Sequence, residues 1–324
     1  MTKTLIQKIE KARNSKVITY VTGDRQPFVT KVADDIIPIF AKHLEKIGKQ
    51  NKISLFLYTR GGDMITPIRL IKLIRSYADE IEMLIPYRSH SAGTLISIGA
   101  DKIVMGRLGE LSPVDPSTGH PFNPENPANA SQKMEISVED LNSYFLLAKE
   151  KAGVKDDQMI NVFEDLVSKI HPLSLGNAYR ATRMAKQITE KLLLMHFDKI
   201  KDKDKIDRII KEITGDICIH GYPITRDEAS SLGLGVIEPD QYLEKDMWQL
   251  YEKYSQKMEL GKKFDPVAIL GGQEVISFKY FGAFIESSQL SDGFVFDGKI
   301  RRIIKDNRAN IDVNVESSVW ENLN

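Results

Sequence analysis

The chain has 324 residues, enough for about two domains, and its 45 basic and 45 acidic side chains cancel to a formal net charge of zero, which argues against broad gripping of nucleic-acid phosphates or anionic lipid. Charged residues at 28% and hydrophobic residues at 42% are the balance of a globular protein rather than a disordered one, and the single cysteine, Cys218, excludes an internal disulfide and any Cys-built zinc site. No apolar run approaches the roughly 18 residues a membrane span needs, and the opening MTKTLIQKIEKARNSK lacks the apolar core of a secretory signal, so the expected location is the cytoplasm.

In chain order, Leu5, Ile6 and Ile9 suggest at most a short amphipathic helix, followed by a β-branched strand over Val17–Val21 that Gly23-Asp24 closes. Asp34 to Gly48 reads as a helix with Gly48 as its stop, and ISLFLY (Ile53–Tyr58) as a strand covered on both faces. The alternation repeats with a helix over Ile65–Tyr77, a strand over Ile81–Ile85, a helix over Ala92–Ala100 and a short strand over Ile103–Met105. Strands alternating with helices predict an α/β fold of βαβ units around a buried sheet. Five prolines between Ser112 and Asn129 require a loop there. Beyond it, helices are predicted over Val138–Ala152, Asp157–Ile170, Gly176–Phe197 and around Ile206–Ile213, then a strand over Ile217–Ile219. Thr225 with Glu228 three residues on is a capping-box pattern for a helix to Leu232. The character changes near 240, which marks residues 241–324 as a C-terminal extension made of one more helix over Gln241–Met258 and then strands.

Two strand-to-helix turns draw attention. In Thr59-Arg60-Gly61-Gly62-Asp63 the paired glycines allow a tight turn and leave backbone N–H groups uncovered; alone, the plainer reading of a tight turn is favoured. In Ser89-His90-Ser91-Ala92-Gly93-Thr94, Ser91 stands at a helix N-terminus, either as an N-cap or as an exposed nucleophile with room for a carbonyl in front of it. In a parallel sheet both turns leave the same edge. The amides of Gly62 and Ala92 then flank the Ser91 hydroxyl as an oxyanion hole, in which losing one donor commonly costs about 3–4 kcal/mol of transition-state stabilisation.

TRGGD, SHSAGT and ADKIVMGRLGELSPVDP, in this order and spacing, resemble the serine dehydrogenase proteinase family, relatives of signal peptide peptidase A and of the Clp protease proteolytic subunit. The resemblance runs from about Ser15 to about Pro239 and takes in IHPLSLGNAYR, EKLL and HGYPITRDEASSLGLGVIE. It implies a Clp/crotonase-type spiral of ββα units, a serine peptidase with Ser91 as nucleophile and Gly62 and Ala92 as oxyanion amides, a peptide or protein substrate, and a homo-oligomer. ATP binding is not encoded, so any unfoldase is a separate protein, and no cofactor or metal is expected.

The general base is open among several residues. His43 and His196 lie on helix patterns, which suits surface or helix-end roles, and His90 adjoins Ser91, where adjacency tends to send side chains apart. One arrangement has His220 as base with Asp115 orienting it; another uses His120 in the proline-rich loop. A Ser–Lys dyad would draw on Lys133, with Lys169 beside His171 a further candidate, and needs a desolvated lysine. An inactive scaffold and an acyl-CoA enzyme using the same paired amides are the competing functions. No P-loop spacing and no H-E-x-x-H pair is present.

Overall fold

Nearly continuous apolar runs between amphipathic helices fold, as their pattern requires, into parallel strands buried on both faces. The computed structural model describes residues 2–127, 129–216, 221–305 and 308–324. These residues form two units, Met1–Leu111 with Pro223–Asn324, and Ser112–Tyr222.

The first unit begins with helix α1 (Thr2–Arg13), a full three turns where the sequence promised little, and strand β1 (Lys16–Thr22). Helix α2 (Ile36–Ile47) ends at Gly48, whose φ of 74° suits glycine. Then come β2 (Gln50–Tyr58), α3 (Thr66–Arg75), β3 (Ala78–Ile85), the two-residue β4 (Arg88–Ser89), α4 (Ala92–Ile98), β5 (Lys102–Met105) and β6 (Glu110–Leu111).

The second unit carries only short strands: β7 (Ser117–Thr118) on β10 (Ile136–Ser137), and β8 (Glu125–Asn126) on β9 (Asn129–Lys133). The five prolines all stand outside them, since proline cannot donate to a ladder. Its helices are α5 (Val138–Leu146), capped by Ser137, α6 (Met159–Lys169), α7 (Pro172–Leu193) and α8 (Lys203–Lys211). Helix α7 starts four residues before the sequence suggested, because His171 caps it and Pro172 occupies the first turn. The strand expected over Ile217–Ile219 lies outside the described residues.

The chain re-enters the first unit with β11 (Ile224–Thr225) and α9 (Arg226–Ser231), where both bonds of the Thr225–Glu228 capping box are made. There follow β12 (Val236–Ile237), α10 (Gln241–Lys257), α11 (Pro266–Leu270), β13 (Val275–Ser287), β14 (Ser291–Lys305) and β15 (Arg308–Asn322). One eight-stranded sheet runs β12-β5-β3-β2-β1-β13-β14-β15; the first five strands are parallel and the last three antiparallel. Residues beyond Asp240, which the sequence set apart by their composition, thus complete this unit and extend its sheet.

One face of the sheet buries Val17, Val21, Phe56, Tyr58, Leu84, Val104 and Phe284 against Leu5, Ile6 and Ile9 of α1 and Leu243, Met247, Leu250 and Tyr254 of α10. The alternate residue Tyr20 turns to the other face and meets Phe40 of α2 edge-on, ring centres 5.8 Å apart. A smaller sheet, β11-β6-β4, joins the strand leading to Ser91 with the two segments at which the chain leaves and re-enters the unit. Among the described residues no helix is long and apolar enough to cross a membrane.

Candidate active site

The TRGGD and SHSAGT turns are neighbours. Thr59, directly after β2, forms a parallel bridge with Ser89: its amide donates to the Arg88 carbonyl at 2.9 Å, and its carbonyl accepts from the His90 amide at 3.0 Å. Three residues on, Gly62 of the same segment forms a parallel bridge with Val32, through the Val32 amide to the Gly61 carbonyl at 2.9 Å and the Asp63 amide to the Val32 carbonyl at 2.8 Å. In such a parallel ladder the residue between the two bonds turns its own N–H away from the partner. The Gly62 amide therefore faces away from Val32.

Both glycines are required by contact. A β-carbon on Gly61 would stand 2.8 Å from the Ser91 Cβ and 3.3 Å from its Oγ, at a φ of +106°. One on Gly62 would come within 2.2 Å of the Val32 carbonyl oxygen. Asp63, the last residue of the motif, accepts from the amides of Ile65 and Thr66 and from the Thr66 hydroxyl, so it starts α3.

Ser91 occupies the position before the first residue of α4 but makes no side-chain capping bond. Its backbone has φ 52° and ψ −110°, a conformation that costs a non-glycine residue about 1–3 kcal/mol. The surroundings hold it there: the Gly93 amide donates to the His90 carbonyl at 2.8 Å, Thr94 Oγ1 to the Ser89 carbonyl at 3.0 Å, and Ser89 Oγ meets Ser97 Oγ at 3.0 Å. A β-carbon on Gly93 would overlap Thr59 Cγ2 at 2.6 Å, so a small residue lets α4 sit against the end of β2. The amides of Gly62 and Ala92 have no acceptor among the described residues, and Ser91 and Gly62 are both half-buried, open on one side. Backbone amides without a protein acceptor at a strand-to-helix turn are groups that can stabilise an oxygen gaining negative charge.

A charged cluster adjoins this turn. Glu110 Oε1 accepts from His90 Nε2 at 3.0 Å and from Arg88 Nε at 3.2 Å, and Asp24 lies 3.9 Å from both Arg60 and Arg88. Burial holds His90 below its ordinary value; Glu110 pulls it up, and Arg60 and Arg88 push it down. Glu110 and Arg88 escaped the sequence reading because they pair through strand register, which spacing along the chain does not reveal.

Of the residues offered as base, His220 lies outside the described residues, and the others belong to the unit Ser112–Tyr222 rather than to that of Ser91. Asp115 is half-buried and accepts the Ser137 hydroxyl at 3.4 Å. His120 Nδ1 accepts the Phe122 amide at 3.3 Å. Lys133 is exposed and paired with Glu125 at 3.1 Å, the reverse of the desolvated setting a lysine base needs. His171 caps α7 and stacks on Phe122, with ring centres 4.3 Å apart. His43, expected at a surface or helix end, is fully buried. Among the described residues no group of three His, Cys, Asp or Glu side chains is placed to hold a metal ion.

Two uncharacterized proteins of Methanocaldococcus jannaschii, MJ0137 and MJ1495, are 24% and 25% identical over 261 and 264 residues, covering 78% of this chain in each case and 78% and 76% of their own lengths. Among solved structures, ClpP1 from Listeria monocytogenes matches 74% of this chain and 99% of its own at 14% identity, with a TM-score of 0.33. The family of ClpP-like SDH-type serine proteinases matches residues 1–270, past the Pro239 limit read from the motifs. This chain belongs to that family.

Proposed function

We propose that the protein is a serine peptidase in which the Ser91 hydroxyl attacks a peptide carbonyl. The observation that carries this is the close approach of Gly61 to Ser91, 2.8 Å between a would-be β-carbon and the serine's own, with the uncommitted amides of Gly62 and Ala92 alongside. In the reaction Ser91 Oγ bonds to the carbonyl carbon as its proton passes to a base. The carbonyl oxygen takes up the negative charge between the two amides, and collapse of the adduct expels the amine, which receives the proton. Water then repeats the sequence on the acyl-serine.

His220 is assigned as the base and Asp115 as its orienting carboxylate. Lys133, ion-paired with Glu125, and His120, whose Nδ1 accepts a backbone amide, are the alternative bases. The substrate is a peptide or protein, with no cofactor or nucleotide in the chemistry, and the enzyme works in the cytoplasm as a homo-oligomer.

A fluorophosphonate probe tests the assignment. Labelling of the wild type, mapped to Ser91 and absent from Ser91→Ala, is the expected result. Failure to label folded wild-type protein, or a label on another serine, overturns it.

A further inference from the structure

We infer that Glu110 is a positioning residue for Ser91, acting through Arg88 and His90. This rests on the reading of Ser91 as nucleophile and adds a device that holds it in place. Glu110 lies in the middle strand of the small sheet, β11-β6-β4, directly opposite Arg88 in the parallel pair β4–β6. Its carboxylate oxygen Oε1 receives both Arg88 Nε, at 3.2 Å, and His90 Nε2, at 3.0 Å. Residues 88 and 90 project to one face of the extended segment, with Ser89 between them turned into the core, where it is fully buried. One carboxylate thus grips the two side chains that bracket the last strand residue before Ser91.

The grip matters because the backbone at Ser91, φ 52° and ψ −110°, does not hold itself. Hydrogen bonds from Thr59 fix the main chain of Arg88 and His90 on one side; Glu110 fixes their side chains from the other. With its Nε2–H donated to Glu110, the neutral His90 ring has a fixed tautomer and a fixed plane. Glu110 is itself only 21% exposed, so the bonds are shielded from water more than a surface ion pair is. Loss of the carboxylate frees the residue adjoining the nucleophile to rotate and displaces the hydroxyl from the amide pair without altering any reacting group.

The test is fluorophosphonate labelling of wild type, Glu110→Ala, His90→Asn and the double variant, with the rate followed against probe concentration and thermal unfolding measured in parallel. The expected result is a saturating rate about tenfold lower for either single variant, as for a modest misplacement of the nucleophile. The half-saturating probe concentration should hold and each variant should remain folded, and the double variant should be no slower than the Glu110 variant, which already removes the bond to His90. Rates within twofold of wild type, a loss carried wholly in the half-saturating concentration, or additive losses in the double variant overturn the inference. If Glu110→Ala fails to fold, His90→Asn alone decides it by the same criteria. If folded wild type is not labelled at Ser91, the nucleophile reading falls first and the positioning role with it; labelled wild type with unaffected variants removes only the latter.

Discussion

Ser287, His43 and Asp292 make a hydrogen-bonded serine–histidine–aspartate chain among residues of the same unit as Ser91. His43 Nδ1 is 3.1 Å from Ser287 Oγ, and His43 Nε2 is 3.0 Å from Asp292 Oδ2. Yet His43 is 0% exposed and Ser287 1%, so no substrate reaches either. Ser287 Oγ already accepts the Leu290 amide at 3.1 Å and the Gln289 amide at 3.4 Å, closing the turn between β13 and β14 and pinning it to α2. The Ser91 turn has the opposite character: it is half-buried and strained, and the amides of Gly62 and Ala92 have no acceptor among the described residues. The contrast shows that an acid–base–hydroxyl chain is also an ordinary way to satisfy buried polar groups. What distinguishes a reactive site is access together with donors left uncommitted.

The sharpest way to break this contrast is to remove each hydroxyl. Ser91→Ala should abolish fluorophosphonate labelling and lower peptide cleavage by about 10⁴-fold or more, with the melting temperature little changed, since alanine keeps the β-carbon and the same backbone. Ser287→Ala should keep the wild-type labelling rate. A label that survives Ser91→Ala and disappears with Ser287→Ala would invert the two regions.

Next in size is Gly61→Ala. Its β-carbon would overlap the Ser91 Cβ at 2.8 Å and must push the serine away. Labelling and cleavage should fall about 100-fold, the scale of a misplacement near 1 Å. Circular dichroism should show the fold retained; an alanine variant with wild-type rates would mean that Gly61 does not border the reacting group.

Much of the first region was legible in the sequence, and almost none of the second. TRGGD and SHSAGT announce themselves because each packs turn, glycine and hydroxyl into a few adjacent residues, and parallel-sheet logic brings the two turns to one edge. The boundaries of β1, α9 and α10 followed from periodicity and caps in the same local way, whereas β3 begins three residues before the strand read at Ile81 and α4 ends two before Ala100. The His43–Ser287–Asp292 chain joins residues some 250 positions apart through an antiparallel strand added to β1, and nothing local marks it. His43 even carries the wrong signal, since a histidine between lysine and leucine on an amphipathic helix reads as a surface residue. The Arg13–Glu82 pair, with Glu82 wholly buried, is invisible for the same reason.

Substituting Ser287 also measures the structural value of the second region. Ser287→Ala deprives the Leu290 amide and His43 Nδ1 of their partner, which should lower stability by about 1–3 kcal/mol, the scale for leaving a buried group unpaired. Urea unfolding followed by circular dichroism reads this directly. An unchanged midpoint would mean that the turn holds without the serine.

The smallest effect is a pH dependence, and its sign separates the regions once more. With Ser287 accepting two amides, its proton goes to His43 Nδ1, and His43 Nε2–H goes to Asp292, so the neutral ring satisfies every contact. Burial holds His43 below its ordinary 6.5, against the upward pull of Asp292 and Glu286 and with the downward push of Lys42. The unfolded chain then binds a proton that the folded chain refuses. Stability from this group is whole above pH 6.5 and declines as the pH falls through that value toward the depressed folded one. Between pH 7.5 and 5.5 the melting temperature should drop by about 1–3 °C from this source, on the scaling for a chain of this length. His90, also held low, adds a decline of the same sign. Ser287→Ala should weaken the His43 share of that slope, whereas His90→Asn should remove only its own; a slope of opposite sign in wild type would show that His43 is charged in the folded protein.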